Sequence, residues 1–174
     1  MSDSLITIVA IFLAVILMFI FPLMSIADRN DDMAETTVQA AVTEFVDTAK
    51  STGKITSAEY GKFLSKIEAT GNTYDVEIEV KVLDENVGKK SAWTEGTVIG
   101  ENVYYSIYTS QIVESLEKNG VYAMKEGDIF SASVKNTNKT MSQTIRGVFY
   151  SIAGSDVYSI AAQHSGVCTA NGSY

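Results

Sequence analysis

The stretch from Leu5 to Ile26, LITIVAIFLAVILMFIFPLMSI, holds no charged residue, and none occurs between Asp3 and Asp28. As an α-helix rising ~1.5 Å per residue it is about 33 Å long, which matches a hydrocarbon core of about 30 Å. Three interpretations compete. A cleaved secretory signal carries a basic region ahead of a shorter apolar core. Nothing basic precedes this span, although Ser25-Ile26-Ala27 imitates a small-x-small cleavage site. A helix packed in a globular core is amphipathic unless it is enclosed on every side, whereas this stretch is apolar all round. The residues favour the third interpretation, a retained membrane anchor. Pro22, the only proline, lies within the span. Without an N–H it cannot donate to the carbonyl of Met18, which predicts a bend near the membrane surface.

Outward from the span, the charge balance narrows the functional classes. The chain has 174 residues with Lys+Arg 13 and Asp+Glu 21, a formal net charge of -8. Asp3 is the only charge ahead of the span, so the remainder carries a net -7. Nucleic-acid binding needs a basic face, and this composition argues against it. With a single cysteine, Cys168, and a single histidine, His164, an intramolecular disulfide and cysteine-rich zinc sites are both ruled out. Arg29 is the only base near the far flank, among Asp28, Asp31, Asp32 and Glu35. The positive-inside rule, which counts Lys and Arg, therefore gives almost no orientation. An acidic, proline-poor head fits an extracytoplasmic location.

The length suits one anchor and one compact head. The expected division is residues 1–27 as the membrane or filament-core helix, 28–53 as an amphipathic extension and 54–174 as the head. Val38, Ala41, Val42, Phe45, Val46 and Ala49 recur at three- and four-residue steps, one apolar stripe on a helix ending near Gly53. Neither Gly nor Pro separates that helix from the span after Pro22, so the two read as one long helix. Thr56-Ser57-Ala58-Glu59 is a capping box ahead of Tyr60, Phe63, Leu64 and Ile67. From Tyr74 to Val82, apolar residues alternate with Asp75, Glu77, Glu79 and Lys81, the clearest strand in the chain. A long polar loop from Asp84 to Gly100 surrounds Trp93, and loops of that length are often contact surfaces.

Beyond an aromatic-rich segment from Val103 to Tyr108, Ser110 to Asn119 reads as a helix stopped by Gly120. Ile129 to Asn136 is a second strand. Thr140 with Gln143 caps a helix that ends at Gly154, and Val157 to Cys168 is the last strand. The resulting order, long helix, helix, strand, helix, strand, helix, strand, defines an α+β fold. A small, antiparallel sheet with short helices is expected to pack on the N-terminal helix.

Chemistry finds little purchase. Nucleophilic catalysis needs a nucleophile, a base and an orienting group. Cys168 lies four residues beyond His164, so a strand would point both to one face. An anchored thiol hydrolase built on them competes with a reading of two ordinary strand residues, which is preferred. Asp75, Glu77 and Glu79 share a face that could hold calcium, yet their regular spacing and Lys81 in the same row fit a solvated surface. Asp28-Arg29-Asn30-Asp31-Asp32 lacks the glycine turn and distal glutamate of an EF-hand loop. Tyr104, Tyr105 and Tyr108 read as core and rim, with an exposed stacking strip as the alternative. Asn138-Lys139-Thr140 and Asn171-Gly172-Ser173 match the glycosylation triplet, which is frequent by chance. No enzymatic activity and no cofactor or metal are expected.

The organisation resembles type IV pilin-like subunits: an uncharged helix with Pro22 near its end, an amphipathic continuation and a small α/β head. The second half looks like TadE-type proteins of tight-adherence pilus systems, through Gly127-Asp128-Ile129-Phe130-Ser131-Ala132-Ser133-Val134-Lys135 and Tyr158-Ser159-Ile160-Ala161-Ala162. Gly71-Asn72-Thr73-Tyr74-Asp75-Val76-Glu77-Ile78 is similar to pilin-locus proteins of Gram-positive anaerobes. The resemblance implies a homo-oligomeric helical filament joined through the N-terminal helices. It also implies residence in the cell membrane before assembly, handling by pilus assembly machinery and a final place on the cell surface. Asp3, Leu5, Ile8, Phe12, Val15, Phe19 and Pro22 are the residues it nominates for assembly. Two departures stand out. Type IV pilins are cut after a glycine in a short basic leader and then carry a glutamate at the fifth position. Here position five is Leu5, and no glycine or basic residue precedes the span. In the family that glutamate offsets a neighbouring subunit's terminal amine within the apolar bundle, and Asp3 is the only residue here that can take that part. A membrane-tethered binding or sensor module that never polymerises is the competing reading.

Overall fold

The computed structural model describes residues 2–83, 104–150 and 159–173. Its axis is one helix, α1, Ser2–Thr52, of 51 residues, about 77 Å long at ~1.5 Å per residue. The helical backbone continues through Pro22. The proline deletes one rung of the hydrogen-bond ladder, and the rungs on either side keep the helix going. The apolar span and the amphipathic stripe thus belong to a single element, as the lack of an intervening Gly or Pro implied.

The head follows as β1 (Lys54–Thr56), α2 (Ser57–Glu68), β2 (Tyr74–Leu83), β3 (Tyr104–Tyr108), α3 (Thr109–Asn119), β4 (Val121–Ala123), β5 (Ile129–Asn136), α4 (Met141–Tyr150) and β6 (Ala161–Val167). Four strands form an antiparallel sheet in the order β3-β2-β5-β6, and β1 pairs with β4 in a second, two-stranded one. This is the expected α+β architecture, with more strands than sequence patterning distinguishes. Lys54–Thr56 and Val121–Ala123 are too short to show a period. The aromatic-rich segment becomes an edge strand, Val80 opposite Ile107 and Val82 opposite Tyr105. The loop around Trp93 and the helix stop at Gly154 lie outside the described residues, as do the first two residues of the expected last strand.

Two of the expected caps are present in full. Thr56 and Glu59 exchange hydrogen bonds at the start of α2: the Thr56 N–H donates to Glu59 Oε2 at 3.0 Å, and the Glu59 N–H donates to Thr56 Oγ1 at 3.2 Å. Thr140 and Gln143 repeat the exchange ahead of α4, at 3.1 and 3.2 Å. Each pair satisfies two backbone donors that the first helical turn leaves open.

The core forms where α1 lies across β5 and β6 and beside α2. Val38, Ala41, Val42, Phe45, Val46 and Ala49 are all buried, so the stripe packs against the chain's own head. Period-two alternation supplies the opposite wall: Ile78 and Val80 of β2, Phe130, Ala132 and Val134 of β5, and Ala162 of β6. At the centre, the Phe45 ring stacks on Phe63 at 4.5 Å and meets Phe130 edge-on at 5.5 Å. Each such side chain, fully buried, stabilises the fold by roughly 1.5–3 kcal/mol. The other face of β2 turns Asp75, Glu77 and Lys81 to solvent. Glu79 is half-buried and accepts a hydrogen bond from Ser106 Oγ at 2.6 Å.

At its C-terminus α1 is closed by the chain's own tail. The Thr169 N–H donates to the carbonyl of Lys50 at 2.9 Å, the Met124 N–H to that of Gly53 at 2.7 Å, and the Gly172 N–H to that of Met124 at 2.8 Å. Gly53 sits at φ 68°, and a Cβ there would lie 2.3 Å from the Ala170 carbonyl oxygen. Only glycine fits this crossing.

Candidate functional site

Along α1 the surroundings change abruptly. Leu5 is 65% exposed, Ile8 68%, Phe12 68%, Val15 51% and Phe19 60%. Pro22 is exposed as well, and Asp3 lies in the first turns of the helix. Ala27 is 0% exposed, and from there the helix enters the head. The bare part is the one segment among the described residues that is long and apolar enough to cross a membrane. Monomeric proteins in water rarely present a contiguous apolar surface beyond a few hundred square ångströms. So large an exposed surface calls for lipid or protein around it.

The transition is held by side chains that sequence patterning did not bring together. Asp28, two residues beyond the span, receives the Arg146 guanidinium: Nη2 donates to Oδ2 at 2.7 Å and Nε to Oδ1 at 3.2 Å. The Ser142 hydroxyl donates to the same carboxylate. One turn on, Thr140 Oγ1 donates to Asp31 Oδ2 at 2.5 Å. That hydroxyl also accepts the Gln143 N–H, so the residue that caps α4 also fastens it to α1. The Arg146 hydrogen bonds, and then that of Ser142, hold the Asp28 carboxyl below its ordinary 3.8. The acids flanking the span, which lack the glycine turn and distal glutamate of an EF-hand loop, are helical, and two of them serve as clamps for α4. The signal for this was present only as a lone arginine in a helix more than a hundred residues away.

The remaining candidate chemistry is dispersed. His164 Nε2 lies 3.2 Å from Asp47 Oδ1, and Lys50 Nζ lies 2.6 Å from the same oxygen. This joins β6 to α1, and the Lys50 and His164 hydrogen bonds draw the Asp47 carboxyl below its usual value. Cys168, by contrast, is 1% exposed, with its Sγ 3.7 Å from Met124 Sδ. Burial, aided by the Asp128 charge, pushes its pKa up to about 11. Among the described residues no hydrogen bond connects Cys168 with His164: four residues of extended chain hold them roughly 13 Å apart even on one face, and each finds a separate partner. A hollow of about 160 Å³ between α1 and α2 is lined by Phe45, Phe63, Glu44, Lys62 and Lys66. Its cations already bind Glu44, at 3.4 Å from Lys62 and 2.5 Å from Lys66. Among the described residues no group of three or more His, Cys, Asp or Glu side chains is placed to hold a metal ion.

Both glycosylation triplets have their asparagines engaged. Asn138 Oδ1 accepts the Thr73 N–H at 2.8 Å and its Nδ2 donates to Asn72 at 3.0 Å. Asn171 Oδ1 accepts the Glu126 N–H at 2.9 Å. Of the tyrosines, Tyr105 is 48% and Tyr108 60% exposed, while Tyr104 is half-buried beside the Gly127 carbonyl. Comparisons of the chain with protein-family models, with curated proteins and with solved structures find no match.

Proposed function

We propose that this chain is a structural, pilin-like subunit, anchored in a membrane through Leu5–Ile26 and assembled through that same surface into a filament. One observation carries the reading: a single continuous helix is bare and apolar over Leu5–Ile26 and buried in its own head from Ala27 onward. A simple tether needs a span but no rigid continuation. Here the segment that meets lipid is coaxial with the core of the head, so displacement of one is transmitted to the other. The resemblance to type IV pilin-like and TadE-type proteins supports the same reading.

Before assembly the span is surrounded by lipid. On extraction it packs against equivalent helices of neighbouring copies, exchanging lipid contacts for side-chain packing. Leu5, Ile8, Phe12, Val15, Phe19 and Pro22 supply that packing. Asp3, beside the span, is the acid that offsets a neighbour's terminal amine. Head-to-tail contacts that do not close on themselves generate an open helical polymer, with the acidic head outward. The subunit acts by assembling and carries out no reaction of its own.

Mechanical shearing of cells that make the protein tests the proposal. The subunit is expected in the released filament fraction, and Asp3→Asn is expected to lower its yield there. Retention of the native protein wholly with the membranes would assign it to a tethered, non-polymerising module.

A further inference from the structure

The end of the head that carries α4 lies at the depth where a bilayer's headgroups begin. Asp28 is two residues beyond Ile26, a rise of about 3 Å along the helix axis. The headgroup region adds roughly 5–7 Å on each side of the hydrocarbon core. Asp28 holds Arg146 and Ser142, and Asp31 holds Thr140, so α4 is fixed to this level by three side chains on two successive turns of α1. Any bilayer that covers Leu5–Ile26 therefore brings its headgroups against α4.

The residues there suit that position. Met141, the first residue of α4, is 63% exposed although it is large and apolar. Lys139, two residues before it, is exposed, and the Arg146 side chain keeps 45% of its surface accessible while paired with Asp28. An exposed apolar residue with cations beside it is the pattern of helices that lie in the plane of a membrane interface.

We propose that α4 is a lipid-contacting element that seats the head on the headgroup layer of the bilayer that α1 crosses. Met141 enters the boundary with the acyl chains, and Lys139 and Arg146 lie at the level of the lipid phosphates. The occupant is lipid and not a second protein, because the distance from the end of the span leaves no room for another layer between. The seat holds the head at one height before assembly, and extraction into a filament lifts α4 from it. The inference rests on the membrane-spanning reading of Leu5–Ile26.

Nitroxide scanning of the full chain in phosphatidylcholine–phosphatidylglycerol vesicles tests it. Met141→Cys and Lys139→Cys report on the seat, Phe12→Cys on the span and Glu117→Cys on α3 at the opposite end of the head. Cys168 is buried, so the parent chain serves as the labelling blank. Collisions with a water-soluble nickel chelate at 139 and 141 are expected to be several-fold rarer than at 117, with oxygen collisions raised at 141. Nickel accessibility at 139 and 141 equal to that at 117, with position 12 protected, overturns the seat and leaves the span intact. Full accessibility at position 12 overturns both.

Discussion

Asp28 and Arg146, 118 residues apart in the chain, meet across 2.7 Å where the helix leaves its apolar span and enters the head. The pair fastens α4 to α1, and its strength depends on pH in a defined direction. A carboxyl whose folded pKa is depressed contributes stability that is present above its unfolded pKa and lost as pH falls through the folded value. Asp28 is depressed from 3.8, chiefly by Arg146, so the attachment is complete at neutral pH and fails progressively below about pH 4. Amide hydrogen exchange in residues 141–147 is therefore expected to accelerate on acidification. Arg146→Gln is expected to produce the same acceleration at neutral pH, whereas exchange that ignores both changes contradicts the clamp.

Among the described residues Phe130 is the most deeply enclosed aromatic side chain, 0% exposed and edge-on to Phe45. Phe130→Ala leaves a cavity where β5 crosses α1 and is expected to cost about 3–5 kcal/mol. Glu77→Ala, on the solvent face of the neighbouring strand, is expected to change stability by less than about 0.5 kcal/mol. Denaturant unfolding of the full chain in detergent, followed by the near-ultraviolet signal of the aromatic residues, measures the contrast.

Gly53 ties three segments at one crossing: the end of α1, Met124 and the tail at Gly172. Alanine there adopts a left-handed backbone, at roughly 1–2 kcal/mol, before any collision is counted. Its Cβ would also stand 2.6 Å from the Gly172 N–H, which must move away. Gly53→Ala is thus expected to destabilise the head by at least about 2 kcal/mol and to free the tail for carboxypeptidase digestion. Gly61→Ala, which meets nothing within 4 Å, is the matched control and is expected to be neutral or stabilising.

Cys168 is expected to behave as an inert thiol. With its pKa pushed up to about 11 and its sulfur against Met124, alkylation at neutral pH is slow in the folded chain and fast in denaturant. His164→Ala is expected to leave the rate in the folded chain unchanged. A several-fold loss of reactivity in that variant would instead indicate a working thiol–imidazole pair.

The elements with strong periodicity were legible from the residues. The stripe from Val38 to Ala49 and the alternation from Tyr74 to Val82 each run long enough for burial to select one period, and both caps carry their partners three residues away. What was not legible depends on partners distant in sequence. Lys54–Thr56 is a strand because Val121–Ala123 lies beside it, and three residues do not define a period. Tyr104–Tyr108 pairs with β2 across a long intervening segment, and its aromatic composition suits a strand edge as well as a loop. The clamp at Asp28 was hidden for the same reason. The four acids around Arg29 name no partner until α4 is folded back onto two of them. His164 and Cys168 show where facing alone misleads. The alternation of β6 carries through Cys168, whose backbone bonds to Asp128 and Gly127 extend the pairing, so the two residues share a face. Four residues of extended chain nevertheless hold them roughly 13 Å apart, and each side chain finds a separate partner.

In the proposed filament the bare face of α1 lies against other copies of itself. Disulfide cross-linking through Phe12→Cys in the sheared surface fraction tests this most directly, since Phe12 is 68% exposed and lies well inside the span. A ladder of cross-linked multimers, absent when the cysteine is placed at Glu117 on the outer head, is the predicted result. Monomers alone at Phe12→Cys, with the protein confined to the membrane fraction, would contradict it.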